Sequence, residues 1–331
     1  MRNKYRVAII GCGKIGTFFS KPDDYNRVMT HAHAYKKDSR TELVAFVDHN
    51  KSRATKAAQI WGGNAYGDLD TMFKKERIDI VSICTPDESH ADILKGCLLY
   101  RPKIVFCEKP LTTDFQIAKK IVKQYSDAGV LLAVNFARHW NPLIVDFKKQ
   151  IKMDKYGKAI NIVSVYTKGI LHNGSHLIDI LIYLFGDVSE AIPLAGRQDW
   201  HNRNDPTLDV FLRFKNGARA HIVAADERRY SIFDIDIYFD NARFILEDFS
   251  DRIIEYRIRD SIKASGYREL YKTGMHKGGN KRLILDGIKN LVNALEGKEE
   301  LECSGKNALS SQWVCQLLIE RYKKEKERWK N

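Results

Sequence analysis

Short, continuous apolar runs recur through the first third of the chain, and stretches with helical spacing lie between them. The runs are YRVAII, TELVAFVD, IDIVSICTP, PKIVFCEKP and VLLAVNF. SRATKAAQIWG, SHADILKGCLLY and FQIAKKIVKQYSDAG read as helices, and Gly62 and Gly129 end two of them. A strand that is apolar at every position is buried on both faces. Such strands, alternating with helices, predict a parallel sheet covered on both sides: a doubly wound α/β domain with right-handed crossovers.

After about Arg138 the rhythm changes. AINIVSVYT, LDVFLRF, ARAHIVAAD, FDIDIYFD and ARFILED show partial period-two alternation, with turn signals at Asn216-Gly217 and Asp240-Asn241. These predict a mostly antiparallel open sheet. HLIDILIYLFG, KRLILDGIKNLVNALEG and a last segment from about Lys306 read as its helices, giving an α+β domain. SGYRELYKTGMHKGGNKR reads as a mobile loop whose cations could meet a phosphate or carboxylate. The expected division is therefore 1–137 and 138–331.

Gly11, Gly13 and Gly16 follow the first strand as G-x-G-x-x-G, with Cys12, Lys14 and Ile15 between them. In this context the pattern signals dinucleotide binding. Gly11 allows a tight turn, Gly13 lets the backbone approach a pyrophosphate, and Gly16 lets a helix pack closely on the sheet. The N-terminus of that helix is expected to attract the phosphate charge. Asp48 ends the second strand. A carboxylate there accepts ribose hydroxyls and repels a 2′-phosphate, which favours NAD. Lys51 and Arg53 leave NADP open, and Arg53 is also placed to pack on adenine. Asp48 lies 32 residues past Gly16, against about 20 usually; SKPDDYNRVMT reads as an insertion that makes up the excess.

Three further motifs fall in line. CTPDESHADI carries Thr85, Pro86 and His90; CEKPLTTD carries Glu108, Lys109 and Pro110; GILHNGSHLIDILIYLFG carries His172, Asn173, His176 and Asp179. With the glycine turn and the fold pattern, the chain resembles the Gfo/Idh/MocA oxidoreductases over nearly its whole length. That family includes glucose–fructose oxidoreductase and inositol dehydrogenase. The resemblance implies a nicotinamide over the carboxyl ends of the parallel strands, and a second domain that supports substrate and assembles dimers or tetramers. It makes Lys109 the E-K-P lysine that contacts substrate and relays protons, and His176 the active-site histidine. It also suggests a cis bond before Pro110. Inositol-dehydrogenase-like members carry an aspartate four residues before that histidine, where this chain has His172. This argues against a plain inositol dehydrogenase.

The chemistry suits these residues. Oxidation of a hydroxyl needs a base, and histidine titrates in the right range, so His176 and His172, spaced i, i+4 on one helical face or its entry, are expected catalytic residues beside Lys109. Lys109 can stabilise the developing oxyanion. Asp179, one helical turn beyond His176, is placed to orient it. Thr85, Pro86, His90, Glu108 and Asn135 join Asp48, Arg53 and the glycine turn as expected cofactor contacts. Arg138, Trp140, Tyr166 and Asn173 join Lys109 and His176 as expected substrate contacts, with Trp140 able to pack on a sugar face. His-x-x-x-His near an aspartate also fits zinc, but there is no H-E-x-x-H and no metal is expected. His31-x-His33 reads as a helix surface rather than a metal pair.

The 331 residues suit two domains. The formal charge of +13 points to acidic ligands: phosphorylated molecules, acidic sugars or nucleic acid. The densest basic run, RYKKEKERWKN, has acids interleaved and reads as a solvated helix, so nucleic acid is not expected. The six cysteines form no C-x-x-C pair and read as reduced packing residues. No apolar run approaches a membrane span, and no signal-peptide cleavage pattern follows the first strand; a cytoplasmic protein is expected. The function expected is transfer of a hydride between NAD and a hydroxyl or ketone carbon of a sugar or nucleotide sugar. Two alternatives share the fold: an NAD-retaining glycosidase, which would not accumulate NADH, and a non-enzymatic NAD-sensing regulator.

Overall fold

The computed structural model describes residues 4–24 and 27–328. The chain divides into two compact units. Met1–Trp140 with Lys281–Leu309 form the first, and Asn141–Asn280 with Ser310–Asn331 the second.

In the first unit the strands are β1 (Tyr5–Ile10), β2 (Thr41–Val47), β3 (Asn64–Tyr66), β4 (Ile80–Ile83), β5 (Ile104–Cys107) and β6 (Leu131–Val134). All pair in parallel, in the order β3-β2-β1-β4-β5-β6. The order reverses between β1 and β4, and ligands of open α/β sheets bind outside the carboxyl ends of the strands at such a switch. The helices between the strands are α1 (His31–Lys37), α2 (Lys51–Trp61), α3 (Leu69–Lys75), α4 (His90–Tyr100) and α5 (Phe115–Asp127). Side-chain caps begin four of them: Thr30, Asn50, Asp68 and Asp114 each accept a backbone N–H of the first turn. The apolar runs of β1, β4 and β5 are buried almost throughout, as continuous hydrophobicity required.

A single cut near residue 137 does not describe this packing. The first unit ends at Trp140, and the chain returns to it at Lys281–Leu309. There α8 (Leu283–Leu295) buries Ile284, Leu285, Ile288, Leu291 and Val292 in the first unit's core. The Trp140 indole N–H donates to Asn290 Oδ1 at 3.2 Å. An amphipathic helix reads the same whichever core it covers, so its spacing could not assign it.

The second unit holds α6 (Pro142–Lys152), β7 (Ala159–Tyr166), α7 (Gly174–Phe185), β8 (Val188–Arg197), β9 (Thr207–Phe214), β10 (Arg219–Ala224), β11 (Phe233–Phe239), β12 (Ala242–Glu247), β13 (Arg252–Asp260) and β14 (Arg268–Lys277), with most of α9 (Gly305–Arg328). The sheet order is β14-β13-β12-β11-β7-β10-β9-β8; β7 and β10 run parallel and the other pairs antiparallel. Phe233, Ile235, Ile237 and Phe239 alternate inward along β11 against α7, whose Leu177, Ile178, Leu181 and Phe185 are buried.

The segment expected to be a mobile loop contains β14, paired with β13 from Arg252↔Lys277 to Asp260↔Arg268. Nearly every residue of β14 is exposed. It therefore has no period-two apolar signal, and only its partner reveals it. The closing basic run continues α9 as far as Arg328, with Arg321, Lys323, Lys324 and Lys326 exposed; residues 329–331 lie outside the described residues. All six cysteines are buried and free. Among the described residues no helix is long and apolar enough to cross a membrane.

Candidate active site

The first unit gathers its candidate residues at the carboxyl ends of its strands: Gly11 after β1, Asp48 after β2, Thr85 after β4, Glu108 and Lys109 after β5, and Asn135 after β6. At Gly11 φ is +90°, and a Cβ would stand 2.7 Å from the Cys84–Thr85 backbone. At Gly16 a Cβ would stand 2.4 Å from the Gly11 carbonyl oxygen. Nothing lies within 4 Å of a Cβ placed on Gly13. The outer glycines therefore permit close backbone crossings, while the middle one faces open space, as an approaching pyrophosphate requires. Gly11 and Gly13 line a cleft of about 840 Å³ with Asp48, Arg53, Thr85 and Pro86. The helix expected after Gly13 is shorter than anticipated: Lys14–Phe18, carrying Ile15, is a single π-helical turn, and α1 begins only after the inserted segment.

Asp48 is 6% exposed. Its carboxylate accepts Cys12 N–H at 3.0 Å and Asn50 N–H at 2.8 Å. It thus fixes the glycine turn as well as standing at the cleft, and each oxygen keeps a second lone pair. The half-exposed Arg53 side chain lies 3.9 Å from Asp48. Burial, with the Asp48 charge beside it, pushes the Cys12 thiol up to about 12, so it stays protonated.

A buried polar network underlies the E-K-P turn. His31 Nε2 lies 2.9 Å from Glu108 Oε1, and Asn135 Nδ2–H donates to the same oxygen at 2.7 Å. His31 Nδ1 meets Ser82 Oγ at 3.2 Å, and Tyr35 Oη meets that hydroxyl at 2.8 Å. Burial pushes the Glu108 carboxyl up, but the His31 hydrogen bond and charge, the Asn135 amide and Lys109 outweigh it and hold it below the usual carboxylate range. His31 and His33 are fully buried rather than on a helix surface. Among the described residues no group of three or more His, Cys, Asp or Glu could hold a metal ion. The Lys109–Pro110 bond is cis. Asn135 Oδ1 is buried with no hydrogen-bond partner in the protein. An acceptor left open beside the strand ends suits an amide N–H such as that of nicotinamide. The open face at Gly13, the cleft and this orphan acceptor together fit a bound dinucleotide.

In the second unit, Lys168 adopts a left-handed conformation (φ 73°) after β7, and a π-helical turn, Gly169–Asn173, leads into α7. His172, Asn173 and His176 are half-buried there. Asp179 is buried and accepts Ser311 Oγ–H at 3.4 Å. The Trp200 ring lies 5.2 Å from that of His172. Trp200 and Asp205, which caps this turn, escaped sequence reasoning because they sit in a strand-joining loop with no motif of its own.

Three expected contacts do not hold as direct ones. His90 is 1% exposed, and its ring nitrogens meet the carbonyls of Pro110 at 2.8 Å and Thr85 at 3.0 Å. It braces the two strand-end turns rather than reaching a cofactor. Trp140 is 5% exposed and packs edge-on against Phe106 within the first unit. Tyr166 is fully buried, and its hydroxyl serves both the N–H and the carbonyl of Leu208, at 2.8 and 3.1 Å. Neither ring presents a face to substrate. Arg138 is half-buried in the short 3₁₀ turn Ala137–Trp140, after β6.

The profile of an oxidoreductase family with an NAD-binding Rossmann fold, GFO/IDH/MocA, matches residues 5–136, and that of the GFO/IDH/MocA C-terminal domain matches residues 163–245. The chain belongs to the Gfo/Idh/MocA oxidoreductase family. Residues 5–136 are the family's NAD-binding Rossmann domain, and the protein is an oxidoreductase. Inositol 2-dehydrogenase of Rhizobium meliloti (strain 1021) is 28% identical over 335 residues, covering 92% of this chain and 93% of its own. Scyllo-inositol 2-dehydrogenase (NAD(+)) of Bacillus subtilis (strain 168) is 27% identical over 262 residues, 70% of each chain. The WlbA dehydrogenase of Bordetella pertussis, solved with NADH and UDP-GlcNAcA, superposes with a TM-score of 0.75 over 96% of both chains at 20% identity, a likeness of fold.

Proposed function

We propose that this family member is an NAD-dependent dehydrogenase of a sugar hydroxyl, and that its substrate class is an anionic, nucleotide-linked sugar. Bound NAD supplies the hydride acceptor. Lys109 holds the substrate oxygen and stabilises the charge that develops on it. An imidazole nitrogen of His176 takes the hydroxyl proton as the C–H electron pair leaves with the hydride and the O–H pair completes the carbonyl. The reverse reaction returns that proton to the ketone oxygen. Asn135 and Asp48 orient the two ends of the cofactor, and Asp48 selects NAD over NADP.

The observation that best supports this reading is the E-K-P turn. Lys109 follows β5, next to the Thr85 turn of the dinucleotide cleft, and Glu108 is clamped from below by His31 and Asn135. The net charge of +13 and a histidine at position 172 favour an anionic sugar over a neutral inositol.

The test incubates the protein with NAD or NADP and a panel of inositols, free sugars and nucleotide sugars, and follows reduced-cofactor absorbance. Nucleotide sugars should give the largest kcat/KM, with NAD preferred. Faster turnover of inositols would overturn the substrate class. Absence of NADH with every hydroxyl compound, and no consumption of NADH when the corresponding keto sugars are supplied with it, would overturn the dehydrogenase reading.

A further inference from the structure

The loop joining β8 to β9 carries chemistry that the family motifs and the roles above leave unused. A helix begins with N–H groups that have no partner inside it. At the entry to α7, no side chain at Lys168 or Asn173 supplies a capping bond. Residues 205–207 supply it instead. Gly169 N–H donates to Thr207 Oγ1 and Ile170 N–H to the Pro206 carbonyl, both at 2.9 Å. Leu171 N–H donates to Asp205 Oδ1 at 2.7 Å, and His172 N–H to Asp205 Oδ2 at 3.0 Å. Four successive donors are met by one segment 33 or more residues away in sequence.

The fit has little slack. Asp205 is 1% exposed, and a Cβ on Gly169 would stand 2.1 Å from Asp205 Oδ2. The Asp205 carbonyl accepts the Trp200 indole N–H at 2.6 Å. This holds the Trp200 ring 5.2 Å from the His172 ring, inclined by 46°. Buried Asp199 braces the loop, accepting Thr207 Oγ1–H at 2.6 Å and Glu227 N–H at 3.1 Å. Charge-assisted bonds to backbone N–H groups are strong, and a carboxylate at a helix N-terminus is favoured by the helix dipole.

We propose that Asp205 and Trp200 are positioning residues for His172, Asp205 by pinning its backbone and Trp200 by walling its ring. The proposal rests on the reading that His172 lies in the reacting part of the site. Displacing a site residue by about 1 Å can cost about 100-fold in rate.

The test uses the full chain loaded with NAD. Ring-labelled histidines are followed by NMR across pH, with His172 assigned from the spectrum of His172→Gln. Asp205→Asn keeps the side-chain shape but turns one acceptor into a donor that faces an N–H. The His172 midpoint should fall, because an anion beside it is lost, while exposed His49 stays in place. With substrate, kcat should drop by about three- to tenfold, no further than in His172→Gln, while the KM for NAD stays within about twofold. Trp200→Ala should lower kcat about threefold, and Trp200→Phe, which keeps a ring against His172, should recover most of that loss.

An unmoved His172 midpoint in Asp205→Asn, or wild-type kcat and an unmoved His172 resonance in Trp200→Ala, would overturn the proposal. Should Asp205→Asn not fold, the Trp200 pair decides the question. The NMR measurement needs no substrate. It therefore separates failure of the positioning pair from failure of the sugar-dehydrogenase reading.

Discussion

The two units build their candidate sites in different ways. In the first, the candidate residues sit on short turns, each following directly from the end of a parallel strand: Gly11, Asp48, Thr85, Lys109 and Asn135. In the second, His172 and His176 lie on a helix entry whose N–H groups are held by residues 205–207. A parallel sheet brings all its carboxyl ends to one edge, so residues that are local in sequence become neighbours by topology alone. A mostly antiparallel sheet sends alternate strands to opposite edges, and a helix entry there depends on whichever loop returns beside it. Motifs are therefore informative in the first unit, whereas in the second they name the residues without showing what holds them.

The largest effect should come from Lys109→Ala. It should reduce kcat by roughly 100-fold or more while calorimetry shows an NAD Kd close to wild type, on the scale of a group acting mainly in the transition state. Near wild-type turnover would show that the strand-end turn presents cofactor only.

Next, His176→Gln should lower kcat/KM by about 10–100-fold and flatten its rise through the histidine range, because a protonated imidazole cannot take the hydroxyl proton. His172→Gln should cost less and keep the rise. The opposite ranking would move the base to His172 and to the loop that caps it.

Asp48→Ala should narrow the preference for NAD over NADP by about tenfold, on the scale of a hydrogen bond to a charged group. Equal narrowing of both affinities would mean that Asp48 acts only by holding Cys12 and the glycine turn.

Tyr166→Phe should destabilise the protein by about 1–3 kcal/mol, because it leaves buried Leu208 backbone groups unpaired, yet kcat per folded molecule should stay near wild type. Denaturant titration beside kinetics checks this, and a change in KM for the sugar would return Tyr166 to the substrate.

The smallest effect concerns acid stability. The folded-state pKa of Glu108 lies below its ordinary value, so its ionised form stabilises the fold above that value, and this contribution fades as pH falls through the lowered one. Unfolding free energy measured from neutral pH down to about pH 3 should fall less steeply for Glu108→Gln than for wild type. An unchanged slope would mean that the His31–Glu108–Asn135 network adds nothing to acid stability.

Much of the fold was legible because it rests on period. Continuous apolar runs marked β1, β2, β4, β5 and β6, and alternation marked β7 and β9 to β12. Several elements went unread, among them three-residue β3, short α3, β8, β13, α6 and β14, the last exposed on both faces. The glycine turn was legible because it depends on what the local backbone must do, whereas the cis Lys109–Pro110 bond was expected only from the family resemblance. His90, Trp140 and Tyr166 were placed at the site by their proximity to motifs, yet each is buried in its own unit. A side chain's chemistry does not say which way it points. His31 erred the other way: read as surface, it is buried beneath Glu108, and only the tertiary fold brings positions 31, 82, 108 and 135 together.

Residue order alone was thus enough for the parallel sheet and the dinucleotide turn, because each depends on hydrophobic period or on a few adjacent residues with one feasible backbone path; the E-K-P motif helped carry the family resemblance. Packing decided three other matters: the return of 281–309 to the first core, the network under Glu108, and the cap that Asp205 places under His172. Each joins segments far apart in the chain. Amphipathic helices and lone polar residues carry no record of their partners, so these pairings are set by burial and hydrogen-bond satisfaction in the folded molecule.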